Sequence, residues 1–181
     1  ENVPGASGSI GASRIARAAA DGHTLGLGTW STHVANGAVY GLPYDVRSDF
    51  EPVALIASSP LIIVGRKALP AGNLRELTDW LKANPDRASQ GTNGPGSVMH
   101  LAGVFFQRET GTRFVFVPYR GAGPAMLDLL AGHVDMYMGL PADILSPARA
   151  GSVKAYAVTA KRRLAAAPDI PTVDEAGVPG L

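Results

Sequence analysis

The chain has 181 residues, enough to bury a core as one domain or as two small lobes that share a chain crossing. Hydrophobic residues make up 46%, charged residues 17%, and the formal net charge is +1. That balance excludes a disordered polyelectrolyte and the basic face of a nucleic-acid binder. Cysteine is absent, which excludes disulfides, thiolate metal sites and a cysteine nucleophile. No apolar run reaches the ~18 residues of a membrane span, and no leader with a charged start and apolar core opens the chain.

Residues 4–11, PGASGSIG, form a Gly-rich turn, and Ile10, Arg14, Ile15, Ala18 and Ala19 after it give a small-residue helix ending at Asp21-Gly22. No strand precedes that turn. Residues 24–28, TLGLG, read as a buried strand running into Thr29, Trp30, Ser31, Thr32 and His33. Hydroxyls at a strand's carboxyl end stand where open α/β sheets bind ligands, and they equally suit the cap of the helix expected over residues 34–40. Residues 53–57 and 61–64 are both strand-like, separated only by Ser58-Ser59-Pro60. Asn73 with Glu76 makes a capping box for a helix over residues 74–83, stopped by Asn84-Pro85.

Residues 90–103, QGTNGPGSVMHLAG, carry the clearest signal. Gly91, Gly94, Pro95 and Gly96 make a tight turn, Ser97 stands at an N-cap, and Val98, Leu101, Ala102 and Phe105 continue at helical spacing to a stop at Gly111. A strand, a Gly-rich turn and a helix start leave several N–H groups at the positive end of a dipole, which suits an anion. An ordinary strand-to-helix connection has the same look. The pattern recurs: residues 114–117 are a strand, Pro118 to Gly123 a third Gly-rich turn, and Pro124 opens the helix over 125–131 that Gly132 ends. A strand over 134–140, a helix from Pro141 to Ala150, a strand over 153–159 and a capping box at Thr172 and Glu175 complete the chain. The alternation predicts α/β architecture with mainly parallel sheets and flanking helices.

Three chemistries compete with simple binding. The runs GASGSIG and GPGS lack the lysine and context of a nucleotide loop. Ser97 and His100 share a helix face, but Ser97 is at the cap and no G-x-S-x-G elbow surrounds it. Histidines 23, 33, 100 and 133 are isolated, so no metal site is expected, and nothing calls for a cofactor. Arg120, beside the third turn, is either a partner for a substrate carboxylate or a solvated loop cation.

The blocks ENVPGASGSIGA, DGHTLGLGT, LPYDVRSDFEPVALIA, GTNGPGSVMHLAG, VPYRGAGPAMLDLLAGHVD, AVTAKRR and PDIPTVDEAGVPG, colinear over essentially the whole chain, resemble those of Bug-type receptors. These are the periplasmic solute-binding proteins of tripartite tricarboxylate transporters. The resemblance implies a two-lobed, type II periplasmic-binding-protein fold: a partial first lobe over 1–60, a second lobe over 61–152, and a crossing strand over 153–181 that returns to the first lobe. It implies a non-enzymatic receptor for a di- or tricarboxylate or related organic acid, working with membrane permease subunits in the periplasm of a Gram-negative bacterium. No nucleic acid or direct membrane insertion enters that role. The alternative is an α/β enzyme acting on a small carboxylate or phosphate ester.

By matching blocks, Thr92, Asn93, Gly94, Gly96, Ser97 and Val98 belong to the second-lobe contact, with the amides of Gly96 to Val98 holding one carboxylate. Thr29, Ser31 and Thr32 face them from the first lobe, and Tyr119, Gly121 and Ala122 border the cleft. His100 becomes a packed residue behind the loop. Family members usually begin with a strand and a Gly-Gly-x-x-Asp loop and continue past the last block, so the chain resembles an internal portion of a longer receptor. Such a portion is expected to bind poorly or self-associate. At Gly139, where relatives often carry a polar side chain, the contact is expected to be lost or filled by water.

Overall fold

A computed structural model describes residues 1–3 and 5–180; Pro4, the first residue of the expected turn at 4–11, and the terminal Leu181 lie outside the described residues. Ile62–Arg66 (β1), Ser89–Thr92 (β2), Val115–Pro118 (β3), Met136–Gly139 (β4) and Val153–Val158 (β5) form one sheet in the order β3-β2-β4-β1-β5. The helices are Ser9–Ala16 (α1), Asn36–Val39 (α2, entered through a π-helical turn at Ser31–Ala35), Leu74–Ala83 (α3), Val98–Thr110 (α4), Ala122–Ala131 (α5) and Pro141–Arg149 (α6).

The two-residue period of the strands divides the core. Ile63, Met136 and Met138 point to one face, where Leu74, Leu77 and Leu81 of α3 and Phe106 of α4 cover them. Ile62, Val64 and Tyr137 point to the other, under Ala125, Met126 and Leu129 of α5 and Ile144 of α6. The helix ends follow local chemistry. Asn73 Oδ1 accepts from the Glu76 amide at 2.9 Å while Asn73 Nδ2 donates to Glu76 Oε1 at 2.7 Å, closing the expected box. Gly111 and Gly132, both left-handed, end α4 and α5.

Four of the five strands point the same way, as expected of a mainly parallel sheet, and one runs against them. β2 pairs parallel with β3 and β4, but β1 pairs antiparallel with both β4 and β5. Helical crossovers align β2 to β5 with one another, whereas β1 is slotted between β4 and β5 against that direction. Val153–Val158 is the edge strand of this sheet, and Val173 and Val178, further along the 153–181 segment, pack into the same core. The Thr172 and Glu175 box does form, with bonds of 2.8 and 3.1 Å, but it closes a turn, not a helix, because Gly177 at φ 88° diverts the chain.

Two expected strands are absent. Residues 24–28 and 53–57 are in no strand, and Leu25 (76%), Leu55 (90%) and Ile56 (78%) are largely exposed. Their composition suits strands, but a strand exists only against a ladder partner, and none is present among the described residues. Among the described residues before β1 there are helices, turns and extended segments but no strand.

The connection β2–α4–β3 runs over one face and β3–α5–β4 over the other, in opposite directions along the sheet. The carboxyl end of β2 is thus a topological switch point, where α/β sheets open a crevice. Thr92 to Val98 leave the sheet at that point.

Candidate functional site

The turn after β2 is fixed by its own glycines and hydroxyls. Gly94 and Gly96 adopt φ of 96° and 78°, open to glycine at little cost. The Gly94 amide donates to Thr92 Oγ1 at 3.2 Å, and the Ser97 amide and hydroxyl both donate to the Gly94 carbonyl, at 3.1 and 2.7 Å. Ser97 Oγ in turn accepts from the His100 main-chain amide at 3.3 Å, which makes it the N-cap of α4. The His100 ring packs edge-on to Phe116 at 4.7 Å, and burial pushes its pKa down. Ser97 and His100 are thus a cap and a packing residue, not a nucleophile and its base.

The amino-terminal segment docks on this turn. Ser31 Oγ accepts the Val98 amide at 3.0 Å across 67 residues of sequence. Ser7 Oγ and Tyr40 OH both donate to the Pro95 carbonyl, at 2.9 and 2.5 Å. Asn36 Nδ2 donates to the Ser7 carbonyl at 3.2 Å. A β-carbon on Gly96 would sit 3.3 Å from Val39, so the glycine also permits close approach of α2. Ser7, Asn36 and Tyr40 were not expected here. Nothing in local sequence links them to Pro95, because the contacts cross as many as 88 residues.

The expected contacts separate on inspection of their bonds. Thr29 and Thr32 bond each other: each amide donates to the other's hydroxyl, at 2.9 and 3.3 Å, and Thr32 Oγ1 also donates to the Thr29 carbonyl at 3.1 Å. They brace the π-helical turn, one layer behind Ser31. Tyr119 is clasped to β2 by its amide, which donates to the Thr92 carbonyl at 2.8 Å. Its hydroxyl turns away to donate to Asp128 Oδ2 on α5 at 2.6 Å. Burial, then Asp128, pushes the Tyr119 pKa up to about 12, and the Tyr119 bond and then His133 hold Asp128 below the usual carboxylate range. Gly121, at φ 144°, and Ala122 start α5 beyond that loop, and Arg120 is exposed beside them.

One expectation needs correcting. Of the three amides assigned to a carboxylate, Ser97 already donates to Gly94 and Val98 to Ser31, because the turn closes on itself and on the docked segment. What remains is different in kind. Ser31 and Thr92, both buried, each accept one main-chain N–H, and neither hydroxyl donates to an acceptor among the described residues. Asn36 Oδ1 and Asn93 Oδ1 are also buried without a partner there. These hydroxyls and amide oxygens are uncharged donors and acceptors. Among the described residues no group of three or more His, Cys, Asp or Glu stands close enough to hold a metal, and no helix is long and apolar enough to cross a membrane.

Gly139, at the carboxyl end of β4, has no open space beside it. A β-carbon there would lie 2.4 Å from Tyr137 Cε1 and 3.2 Å from Ile144 Cδ1, so the Tyr137 ring fills the space. The space that water was expected to fill is taken by a neighbour two residues away on the same strand face.

Comparison with known proteins agrees with this architecture. A family model described as "Tripartite tricarboxylate transporter family receptor" matches residues 1–181. A protein of the TAR-I ttuE-ttuC' intergenic region of Agrobacterium vitis is 39% identical over 98% of this chain and 51% of its own length. Protein BugT of Bordetella pertussis is 35% identical over 99% of this chain and 56% of its own. The chain thus spans about half the length of the curated relatives it matches. Among solved structures, MatC of Rhodopseudomonas palustris with bound malate superposes with a TM-score of 0.91 at 37% identity, over 99% of this chain and 62% of that one. A second R. palustris protein, with adipate, gives 0.95 at 35% identity over 99% and 60%. The periplasmic binding protein BugD gives 0.92 at 36% identity over 99% and 60%.

Proposed function

This chain belongs to the tripartite tricarboxylate transporter receptor family, and from that premise we propose that it forms the ligand-gripping part of a periplasmic receptor that binds a small organic acid without chemical turnover. The observation that carries this reading is the pair of hydroxyls, Ser31 and Thr92, that accept main-chain N–H groups and keep their own hydrogens for an acceptor. A carboxylate only accepts hydrogen bonds. It therefore suits two such donors beside the start of α4, where the helix dipole also favours negative charge.

In this reading Ser31 and Thr92 touch the acid, and Gly94, Gly96, Ser97 and Val98 shape the turn that presents them. Asn93 stands beside that turn, Thr29 and Thr32 brace Ser31 from behind, and Tyr119, Gly121 and Ala122 form the wall toward α5. Residues 1–60 supply one jaw and the sheet-bearing part the other. Malate and adipate, found in two structural relatives, indicate the class of acid to test. Release to membrane permease subunits of the transporter completes the role.

The test uses the full-length receptor. Calorimetric titration with malate, succinate and adipate, with mass analysis of the recovered acid, is expected to give saturable binding and unchanged ligand. Absence of binding to every organic acid tried, or conversion of one to product, would overturn the proposal.

A further inference from the structure

We propose that Tyr137 is a specificity-determining residue of this site, its phenol hydroxyl donating a hydrogen bond to the second carboxylate of a bound dicarboxylate. The inference deepens the receptor reading and rests on it. Tyr137 is fully buried on β4, and its hydroxyl has no hydrogen-bond partner among the described residues. Leaving such a group unpaired is unfavourable, and buried polar groups in native proteins nearly always find a partner. A residue that served only to fill the core would do so better as phenylalanine.

The ring's position shows which way the hydroxyl points. Tyr137 pairs with Gly91 of β2 and Val64 of β1. A β-carbon on Gly91 would lie 3.5 Å from Tyr137 Cδ2, and one on Gly139 only 2.9 and 2.4 Å from Cδ1 and Cε1. The ring thus lies between two glycines and leans along β4 toward its carboxyl end, so that its outer edge passes closest to Gly139. That end of the sheet is the switch point, where the Thr92 turn leaves β2 and where α5 and α6 begin.

Gly139 is what allows this pose. Any side chain there would meet the ring below 3 Å and push the hydroxyl away from the edge. The phenol also stays a donor, since burial, and then Asp143 in the first turn of α6, pushes its pKa up. Ser31 and Thr92 would hold one carboxylate of the acid beside α4, and Tyr137 would read the other from the floor of the crevice. The preferred ligand is then a dicarboxylate, not a monocarboxylate of the same chain length.

The experiment compares full-length wild type, Tyr137→Phe and Gly139→Ala by calorimetry with succinate and adipate against butyrate and hexanoate, with melting curves of each ligand-free protein. Tyr137→Phe removes one oxygen and no protein hydrogen bond, so its ligand-free Tm is expected to be equal or higher. Its affinity for the better dicarboxylate is expected to fall about tenfold, with monocarboxylate affinity unchanged. Gly139→Ala is expected to show the same selective loss by displacing the ring. Dicarboxylate affinity within about twofold of wild type in Tyr137→Phe overturns the inference, whether or not its Tm falls. A wild type that binds none of the acids overturns the receptor reading itself, and the two failures cannot be confused.

Discussion

Replacing Ser31 by alanine in the full-length receptor tests the site at its narrowest point. Ser31 is 8% exposed and its hydroxyl accepts the Val98 amide at 3.0 Å, so its removal strips the docked segment of a direct bond to the start of α4. A bond of this kind contributes about 0.5–1.5 kcal/mol net. The donor it keeps for a carboxylate is charge-assisted and worth roughly 1.5–3 kcal/mol. The ligand-bound state loses both and the ligand-free state only the first, so affinity should drop by about one to two decades while stability falls modestly. Calorimetric titration with the acid that wild type binds best measures the first effect, and thermal denaturation without ligand the second. Thr32→Ala is the control, because the Thr32 hydroxyl is spent on Thr29 and His33 and should affect stability more than affinity. Unchanged affinity in Ser31→Ala, or an equal loss in the exposed Arg120→Ala, would refute the reasoning.

Other outcomes are set by single contacts. Asn73→Ala should cost about 1 kcal/mol by opening the cap of α3, lowering Tm by roughly 2–4 °C without changing affinity, as melting curves and titration would show. The Tyr119–Asp128 pair gives stability a pH window. The folded-state pKa of Tyr119 is raised from 10.0 to about 12, so its contribution is complete below pH 10 and lost as pH rises through about 12. Asp128 is depressed, so its contribution is complete above the usual carboxylate range and lost as pH falls through its lowered pKa. Urea denaturation of wild type and Tyr119→Phe across pH 3–12 should show the variant's profile flattened at both ends, and parallel profiles would count against the pair. Residues 1–181 expressed alone should self-associate through the exposed apolar stretch around Leu55. Leu55→Lys should shift sedimentation toward monomer, and an unchanged distribution would place the association elsewhere.

Much of the candidate site was legible in the sequence wherever its bonds are local. The Asn73 and Glu76 box, the Ser97 cap and the glycine stops at 111 and 132 are decided within four or five residues, and the structure has each of them. Even there the local signal could mislead: Thr172 and Glu175 make their bonds without a helix to cap. The apolar pattern of residues 24–28 and 53–57 suits a strand, yet pattern cannot supply a neighbour, and those residues are exposed.

The sequence by itself determined the α/β class, the Gly-rich turns at helix starts and, through the order of its blocks, the receptor family, because these depend on short-range conformational preference and on residue order. Tertiary structure alone decided that β1 runs against its two neighbours, since strand direction is settled by which ladder partners meet. It also decided which hydroxyls are spent and which are spare. Thr29, Thr32, Ser31 and Thr92 are alike as sequence, but only the first two are consumed by each other. The same holds for Tyr137 and Gly139: their two-residue spacing says that they share a strand face, and only the packed sheet shows that the ring of one occupies the space left by the other.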